Sequence, residues 1–370
     1  MSTPATVVIA PDSFKGSLPA TDVARAVAEG WATVRPDDRL LLTPMADGGE
    51  GTLDAFAMAV PDAERRPIRV VGPAGETVDS EWLLLPDGTA VIELAATSGL
   101  GLMPELAPLD AHTIGFGQAI ADALHSGATA LLLAIGGSAS TDGGTGALTA
   151  LGARFLNNRG ELIRPGARGL RELDRVDLSH LQALPPGGAR ILSDVTNPLL
   201  GPAGAASVFG PQKGATTDDI PVMDAGLARL VEVLGTSAAT PGAGAAGGTG
   251  YGLLAWGAVI EPGADAVGTA LGLPGTVAGA DVVVTGEGRF DGQSSAGKLP
   301  TYVAGLACDA EVPALLVAGA IAAEPDGFAD AVALSDLAGG SAAAIAEAYR
   351  WSVVAGAELA RRFQAAPTHP

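Results

Sequence analysis

The sequence predicts an α/β protein of two α/β domains. One is assembled from both ends of the chain around a parallel sheet, and the other is an inserted mixed α/β domain. Three observations predict this. Short apolar runs of strand length alternate with longer amphipathic segments in the first and last thirds, the pattern of parallel strands joined by crossover helices. The middle third is richer in glycine and more irregular. A length of 370 residues favours two domains over one. Drawn on this basis, residues 1–95 plus 280–370 form the discontinuous domain and 96–279 the insert.

Residues 7–10 read as a buried strand, and 19–34 as a helix with Ser17 as its N-cap and Trp31 on its apolar face. Residues 39–43 make a second strand, and the loop after it opens a helix over 50–60. Strands over 68–71, 78–85 and 90–94 are separated by the turn signals Gly72-Pro73 and Asp87-Gly88. A helix over 113–125 precedes a fully apolar strand, 130–135. A helix over 146–151 leads to a hairpin around Asn158-Arg159-Gly160. The strand 189–193 ends in Asp194, and 220–234 is helical. The Gly/Ala-rich stretch 241–252 precedes a helix running through Ile260. The last third reads as strand 281–285, helix 295–308, strands 314–317 and 331–334, and helix 342–362.

Hydrophobic residues make up 48% of the chain and aromatic residues 4%, so the cores must be built mainly from Ala, Val, Leu and Ile. The single cysteine, Cys308, excludes an internal disulfide and a multi-cysteine metal site, and reads as a small buried residue. The N-terminal residues lack a basic leader, and no apolar run has membrane-spanning length, so the expected location is the cytoplasm. A net charge of −20 with no basic cluster excludes a nucleic-acid partner. Such a surface repels anionic ligands unless cations are concentrated where they bind. The lysines are therefore informative. Lys15, Lys213 and Lys298 are the only three, and each adjoins a glycine. A lysine ammonium is a compact charge well suited to phosphate.

Five polar, glycine-containing strings follow predicted strands, where open α/β sheets bind ligands. Asp12-Ser13-Phe14-Lys15-Gly16-Ser17 joins a strand to a helix N-terminus, which favours anions. In Asp47-Gly48-Gly49-Glu50-Gly51, two carboxylates flank a glycine pair and suit Mg²⁺ or substrate hydroxyls. Gly136-Gly137-Ser138-Ala139-Ser140-Thr141-Asp142-Gly143-Gly144 offers backbone N–H groups and hydroxyls for the phosphates of ATP, with Asp142 as a metal partner. Ser193-Asp194-Val195-Thr196-Asn197 places a carboxylate at the end of a strand, where it can take a proton from an alcohol or bind Mg²⁺; Phe209 to Gly214 brings in Lys213. The fifth string, Thr285 to Lys298, contains Gly-x-x-x-x-Gly-Lys. Leu299 stands where a true P-loop needs Ser or Thr, so this is a phosphate loop of another kind.

Gly242-Ala243-Gly244-Ala245-Ala246-Gly247 matches the dinucleotide pattern, but no strand immediately precedes it, and close packing or a binding loop explains it better than NAD. His112, His125, His180 and His369 lie outside these strings. Neither His-Glu-x-x-His nor Gly-x-Ser-x-Gly occurs, which counts against zinc hydrolysis and a serine triad.

Together, and in order, these strings resemble the glycerate kinase family of bacterial glyoxylate and sugar-acid metabolism. The likeness is carried by APDSFKGS, PMADGGEGT, the Glu93 to Leu100 segment, IGGSASTDGG, SDVTNPLLGP, FGPQKGA, GAGAAGG and TGEGRFDGQSSAGK. It departs at Thr141, where the family usually has Asn, at Ile114, often Arg or Tyr, and beyond Ala333.

The resemblance implies a two-domain α/β enzyme with one flavodoxin-like domain, using Mg-ATP to phosphorylate D-glycerate at the 2-hydroxyl. On this reading Asp194 is the general base, Lys15 and Lys298 neutralise the transferring phosphate, and Arg289 clamps the glycerate carboxylate. Asp12, Ser13, Asp47, Glu50, Asn197, Glu287 and Asp291 line the substrate. Gly136, Gly137, Ser138, Thr141, Gly143, Gly144 and Lys213 hold ATP, with Mg²⁺ at Asp47 or Asp142. Formation of 3-phosphoglycerate, a nicotinamide-dependent oxidoreductase and a non-catalytic phosphometabolite sensor stay open as alternatives. No nucleic-acid or membrane partner is expected, and a homo-oligomer is left open.

Overall fold

The computed structural model describes residues 4–291 and 299–363. The chain divides into two units. The first comprises Met1–Asp47, Asp54–Pro61 and Ala264–Pro370, and the second Gly48–Leu53 and Asp62–Gly263. In chain order the strands are β1 (Thr6–Ile9), β2 (Arg39–Leu42), β3 (Glu64–Val71), β4 (Thr77–Leu84), β5 (Thr89–Glu93), β6 (Ala130–Ala134), β7 (Arg154–Leu156), β8 (Arg175–Asp177), β9 (Ala189–Leu192), β10 (Val259–Glu261), β11 (Val282–Phe290), β12 (Ala314–Ile321) and β13 (Asp330–Ala333).

The sheet of the first unit runs β13-β12-β11-β1-β2, parallel throughout. In the unit's own chain order, read from the β2 edge, this is 2-1-3-4-5, the flavodoxin-like doubly wound order. Its topological switch point lies between β1 and β11, beyond their carboxyl ends, where such sheets bind ligands. The central strands are apolar without alternation because both faces are covered: Val7, Val8, Ile9, Val282, Val283 and Val284 are all buried. One cover is the packed pair of helices Ala20–Val34 and Ala348–Arg362. A Cβ at Gly30 would strike the Val353 carbonyl and one at Gly356 the Val27 carbonyl, so the two glycines let these backbones touch.

The second unit has a six-stranded sheet, β10-β9-β6-β5-β4-β3. Its β10-β9-β6-β5 part is parallel, and β4 and β3 continue it antiparallel. Strands β7 and β8 form a separate antiparallel pair. The core gathers Trp82, Ile92, Phe116, Leu131, Leu133, Phe155, Ile191 and Tyr251.

Several sequence expectations need correction. Residues 62–95 fall in the second unit and not with the chain ends, because β5 pairs with β6 and carries β4 and β3 with it. Strand β3 begins at Glu64 and tolerates Pro67 because it is an edge strand. Ser17 does not cap the first helix: its hydroxyl donates to the Phe14 carbonyl at 2.9 Å, and Pro19 stands at the N-cap. Ile260 is in a strand, since Gly257, with φ 104°, ends the preceding helix and Val259 and Ile260 then pair beside β9. Strand β11 extends to Phe290 because residues 286–290 continue the ladder with β12. The helix expected over 342–362 is two, Ser341–Ala346 and Ala348–Arg362, broken at Glu347. Cys308 is exposed rather than buried. No helix of the described residues is long and apolar enough to cross a membrane.

Candidate active site

Three neighbouring strands of the first unit bring polar residues to the switch point. The Asp12 N–H donates to the Gly286 carbonyl at 2.8 Å, and the Met45 N–H to the Pro11 carbonyl at 2.9 Å. The segments after β1 and β2 are thereby tied to each other and to β11. A Cβ at Gly288 would lie 3.2 Å from the Lys15 backbone nitrogen, so β11 passes directly against the Asp12–Gly16 loop. Mutual bonds between Phe14 and Leu18, at 2.8 and 3.0 Å, close that loop.

In this frame the Lys15 ammonium donates to Asp47 Oδ2 at 2.9 Å. The lysine side chain is 72% exposed and the aspartate 31%, so the pair faces solvent. Burial works against the Lys15 charge, but Asp47, Asp12 and Glu287 outweigh it and hold the ammonium above its ordinary value. Asp12 is only 8% exposed, and its Oδ1 accepts the Ser13 N–H at 2.7 Å. Burial first, then the negative charge of Asp47, push the Asp12 carboxyl up to about 7, with Lys15 pulling the other way. Glu287 is buried on β11. Further along the same strand Arg289 pairs with Asp291 at 3.4 Å, largely in solvent. The structure therefore groups Asp12, Lys15, Asp47 and Glu287. Lys298 lies outside the described residues.

In the second unit the loop after β6 is drawn tightly into the fold. Gly137, Gly143 and Gly144 have φ of 74°, 64° and 76°, a left-handed backbone that glycine adopts without strain. The Gly136 N–H donates to the Gly48 carbonyl at 2.9 Å, and a Cβ there would lie 2.5 Å from the Gly49 Cα. The two glycine-pair segments thus run backbone against backbone. Ser138 and Ser140 share a hydroxyl–hydroxyl contact at 3.2 Å. Thr141 Oγ1 is buried with no hydrogen-bond partner among the described residues. Lys213 is 2% exposed, and its ammonium donates to the Ser140 carbonyl. Burial lowers its pKa to about 7, with Asp142 opposing.

Asp142 does not fit a metal. It is fully buried, and its carboxylate accepts the Thr113 N–H at 2.9 Å, the Thr113 hydroxyl at 2.8 Å, and the Gly144 and Gly146 N–H groups at 3.1 Å each. Asp47, the other acid expected to hold Mg²⁺, is ion-paired with Lys15. Among the described residues no group of three or more His, Cys, Asp or Glu is placed to cage a cation. Magnesium held chiefly by phosphate oxygens and water needs no such cage.

Asp194 and Asn197 belong to the second unit. Exposed Asp194 accepts the Gly263 N–H at 2.7 Å through Oδ1, and the Asn197 amide donates to the Ala203 carbonyl at 2.8 Å. Glu50 is exposed. Gly242 to Gly247 serves packing: a Cβ at Gly244 would strike the Pro198 carbonyl and one at Gly247 the Ser140 carbonyl.

Two residues that shape the site carried no assigned role in the sequence reading. Glu93, 5% exposed at the end of β5, accepts the Gly51 and Leu53 N–H groups at 3.2 and 3.1 Å, fixing the start of the helix Thr52–Ala59. An acid closing a buried apolar strand was the available signal. Thr113 anchors Asp142, and nothing local distinguishes it.

Residues 7–364 match the glycerate kinase family. The chain is 43% identical over 325 residues to the glycerate 2-kinase of Escherichia coli K12, covering 85% of each. It is 44% identical over 325 residues to the glycerate kinase of Bacillus subtilis 168, again covering 85% of each. A crystal structure from Salmonella typhimurium LT2 carrying the designation glycerate kinase 2 superimposes with a TM-score of 0.84 at 37% identity, over 97% of this chain and 98% of that one. Motifs, architecture and relatives agree: this chain belongs to the glycerate kinase family and is an enzyme of the kinase class.

Proposed function

We propose that the enzyme transfers the γ-phosphoryl group of ATP to the 2-hydroxyl of D-glycerate, giving 2-phosphoglycerate and ADP. The observation that carries this reading is the group at the switch point of the first unit, a buried Asp12 beside the Lys15–Asp47 pair. The choice of the 2-hydroxyl rests on the likeness to the E. coli glycerate 2-kinase.

In the transfer, the glycerate oxygen forms a bond to the γ-phosphorus while the bridging oxygen–phosphorus bond breaks and ADP leaves. The hydroxyl proton passes to a protein base. Such transfers depend on position and charge neutralisation more than on covalent chemistry. Magnesium carried in with the nucleotide would supply charge neutralisation on the phosphates. Lys15 neutralises the moving group, with Lys298 as a second cation, and Arg289 receives the glycerate carboxylate in a bidentate clamp. Ser13, Glu50, Asn197, Glu287 and Asp291 remain proposed substrate contacts. The loop Gly136 to Gly144 takes the nucleotide phosphates.

Asp12 suits the base better than Asp194. A base works best with a proton affinity near the operating pH, and burial raises Asp12 into that range. Asp194 is exposed and already holds the Gly263 N–H. A second reading keeps Asp194 as the base, because it follows β9 at its carboxyl end.

Phosphorus NMR of the enzyme with ATP, Mg²⁺ and D-glycerate tests the reaction and its regiochemistry together. A growing 2-phosphoglycerate resonance with matching ADP is expected. A 3-phosphoglycerate resonance would reject the choice of hydroxyl, and no phosphoglycerate at all would reject the reaction.

A further inference from the structure

We propose that Lys213 and the left-handed turn over residues 246–248 are positioning elements that hold the Gly136 to Gly144 loop from behind, Lys213 acting through Ser140 and not by touching the nucleotide. This rests on the reading of that loop as the nucleotide-phosphate cradle, and it reassigns Lys213, which the sequence placed among the ATP contacts.

Four observations carry it. Lys213 is 2% exposed and spends a hydrogen bond on the Ser140 carbonyl, 73 positions away in the chain, so its ammonium is directed into the protein. The Gly143 N–H donates to the Gly247 carbonyl at 3.1 Å, and the Ser138 hydroxyl to the Ala246 carbonyl at 3.3 Å. Gly247 admits no side chain, since its Cβ would collide with the Ser140 carbonyl and lie 2.7 Å from the Thr141 Cα. Finally, Ala246, Gly247 and Gly248 have φ of 52°, 66° and 84°, a left-handed kink where the helical backbone is interrupted. A non-glycine residue at positive φ persists only where its surroundings impose it, and such residues gather at functional loops.

The pieces fit one another. Lys213 pulls the middle of the loop inward at Ser140. The turn catches it on either side, at Ser138 and Gly143. Asp142 fixes the far end through Thr113, Gly144 and Gly146. A loop so held meets an anion with its shape already set, and binding does not have to order it. The glycine-rich motif that resembled a dinucleotide fingerprint is the floor of a different loop.

The test measures ADP affinity by calorimetry, together with KM for ATP and for D-glycerate, in the full-length wild type and in three variants. Lys213→Met, which cannot donate to Ser140, should weaken ADP binding and raise KM for ATP about tenfold, the effect of losing a buried hydrogen bond. KM for glycerate should stay within about twofold, whereas general damage to the fold would not single out the nucleotide. Lys213→Gln retains a donor without the charge and should recover most of the loss. Gly247→Ala should reproduce the nucleotide-selective defect, and it decides the matter if Lys213→Met does not fold. Nucleotide affinity unchanged in Lys213→Met, or in Gly247→Ala, overturns the proposal. So does Lys213→Gln folding normally yet binding ADP as poorly as Lys213→Met, because the charge itself would then be the ligand contact. A wild type that binds no nucleotide strikes the functional reading instead, so the two failures are distinguishable.

Discussion

Lys15 in the first unit and Lys213 in the second each precede a glycine, and each has an aspartate nearby. Their surroundings are opposite. Lys15 is 72% exposed and bonded to a partly exposed Asp47, while Lys213 is 2% exposed and bonded to a carbonyl. Their aspartates differ in the same way. Asp47 faces solvent in an ion pair, whereas Asp142 is buried and accepts four hydrogen bonds from the protein. Lys15 and Asp47 hold each other at the surface, whereas Lys213 and Asp142 are buried and each is bonded to loop backbone. Proximity to glycine marks a loop, and burial decides what the charge in it does.

The contrast can be broken experimentally, most forcefully at Asp142. Asp142→Ala leaves four buried donors without an acceptor and should destabilise the protein by roughly 3–5 kcal/mol in urea unfolding. Asp47→Ala should change stability by no more than about 1 kcal/mol, as for other exposed ion pairs. Equal losses would erase the distinction between the two aspartates.

Next in size, Lys15→Met should lower kcat by ~10² or more while the melting curve barely moves, since the side chain supports little packing. A kcat within about twofold of the wild type would remove Lys15 from the chemistry.

Asp12 gives a pH-dependent effect with a definite sign. Its carboxyl is raised from 3.8 to about 7 in the folded protein. The folded state therefore keeps a proton that the unfolded chain has released, and stability from this group declines as pH rises through that window. Asp12→Asn, which resembles the protonated form, should be more stable than the wild type at pH about 8, by on the order of 4 kcal/mol, and should match it below pH about 4. A gap that widened toward acid would reverse the assignment.

The smallest change is Ala246→Gly, which relieves a left-handed alanine and should stabilise by about 1 kcal/mol in the same unfolding assay. A loss of stability there would show that the alanine methyl matters more than the backbone angle.

Sequence reasoning reached these regions unevenly, for physical reasons. Strands β1 and β6 are nearly continuous apolar runs because helices and loops cover them, so their burial is written in local composition. The loops that follow them were found for the same reason. Strand β11 was cut short because Gly286-Glu287-Gly288-Arg289 has the composition of a loop, and only pairing with β12 keeps it extended. The place of residues 62–95 depended on the partner of β5, which no local pattern names. Asp142 and Asp47 share the string Asp-Gly-Gly-x-Gly, and their separation rests on Thr113, 29 positions from Asp142. Lys213 likewise meets Ser140 only in the folded chain. Residue types and loop positions were legible; the inward or outward direction of a side chain was not.

The assignment of the proton to the first unit's Asp12 is tested most directly by the pH dependence of kcat/KM for D-glycerate. The wild-type rate should rise along an acid limb centred near the Asp12 value of about 7, and the rate and that limb should both be lost in Asp12→Asn while Asp194→Asn retains the limb. An acid limb that survives in Asp12→Asn and disappears in Asp194→Asn would contradict the account and move the base to the second unit.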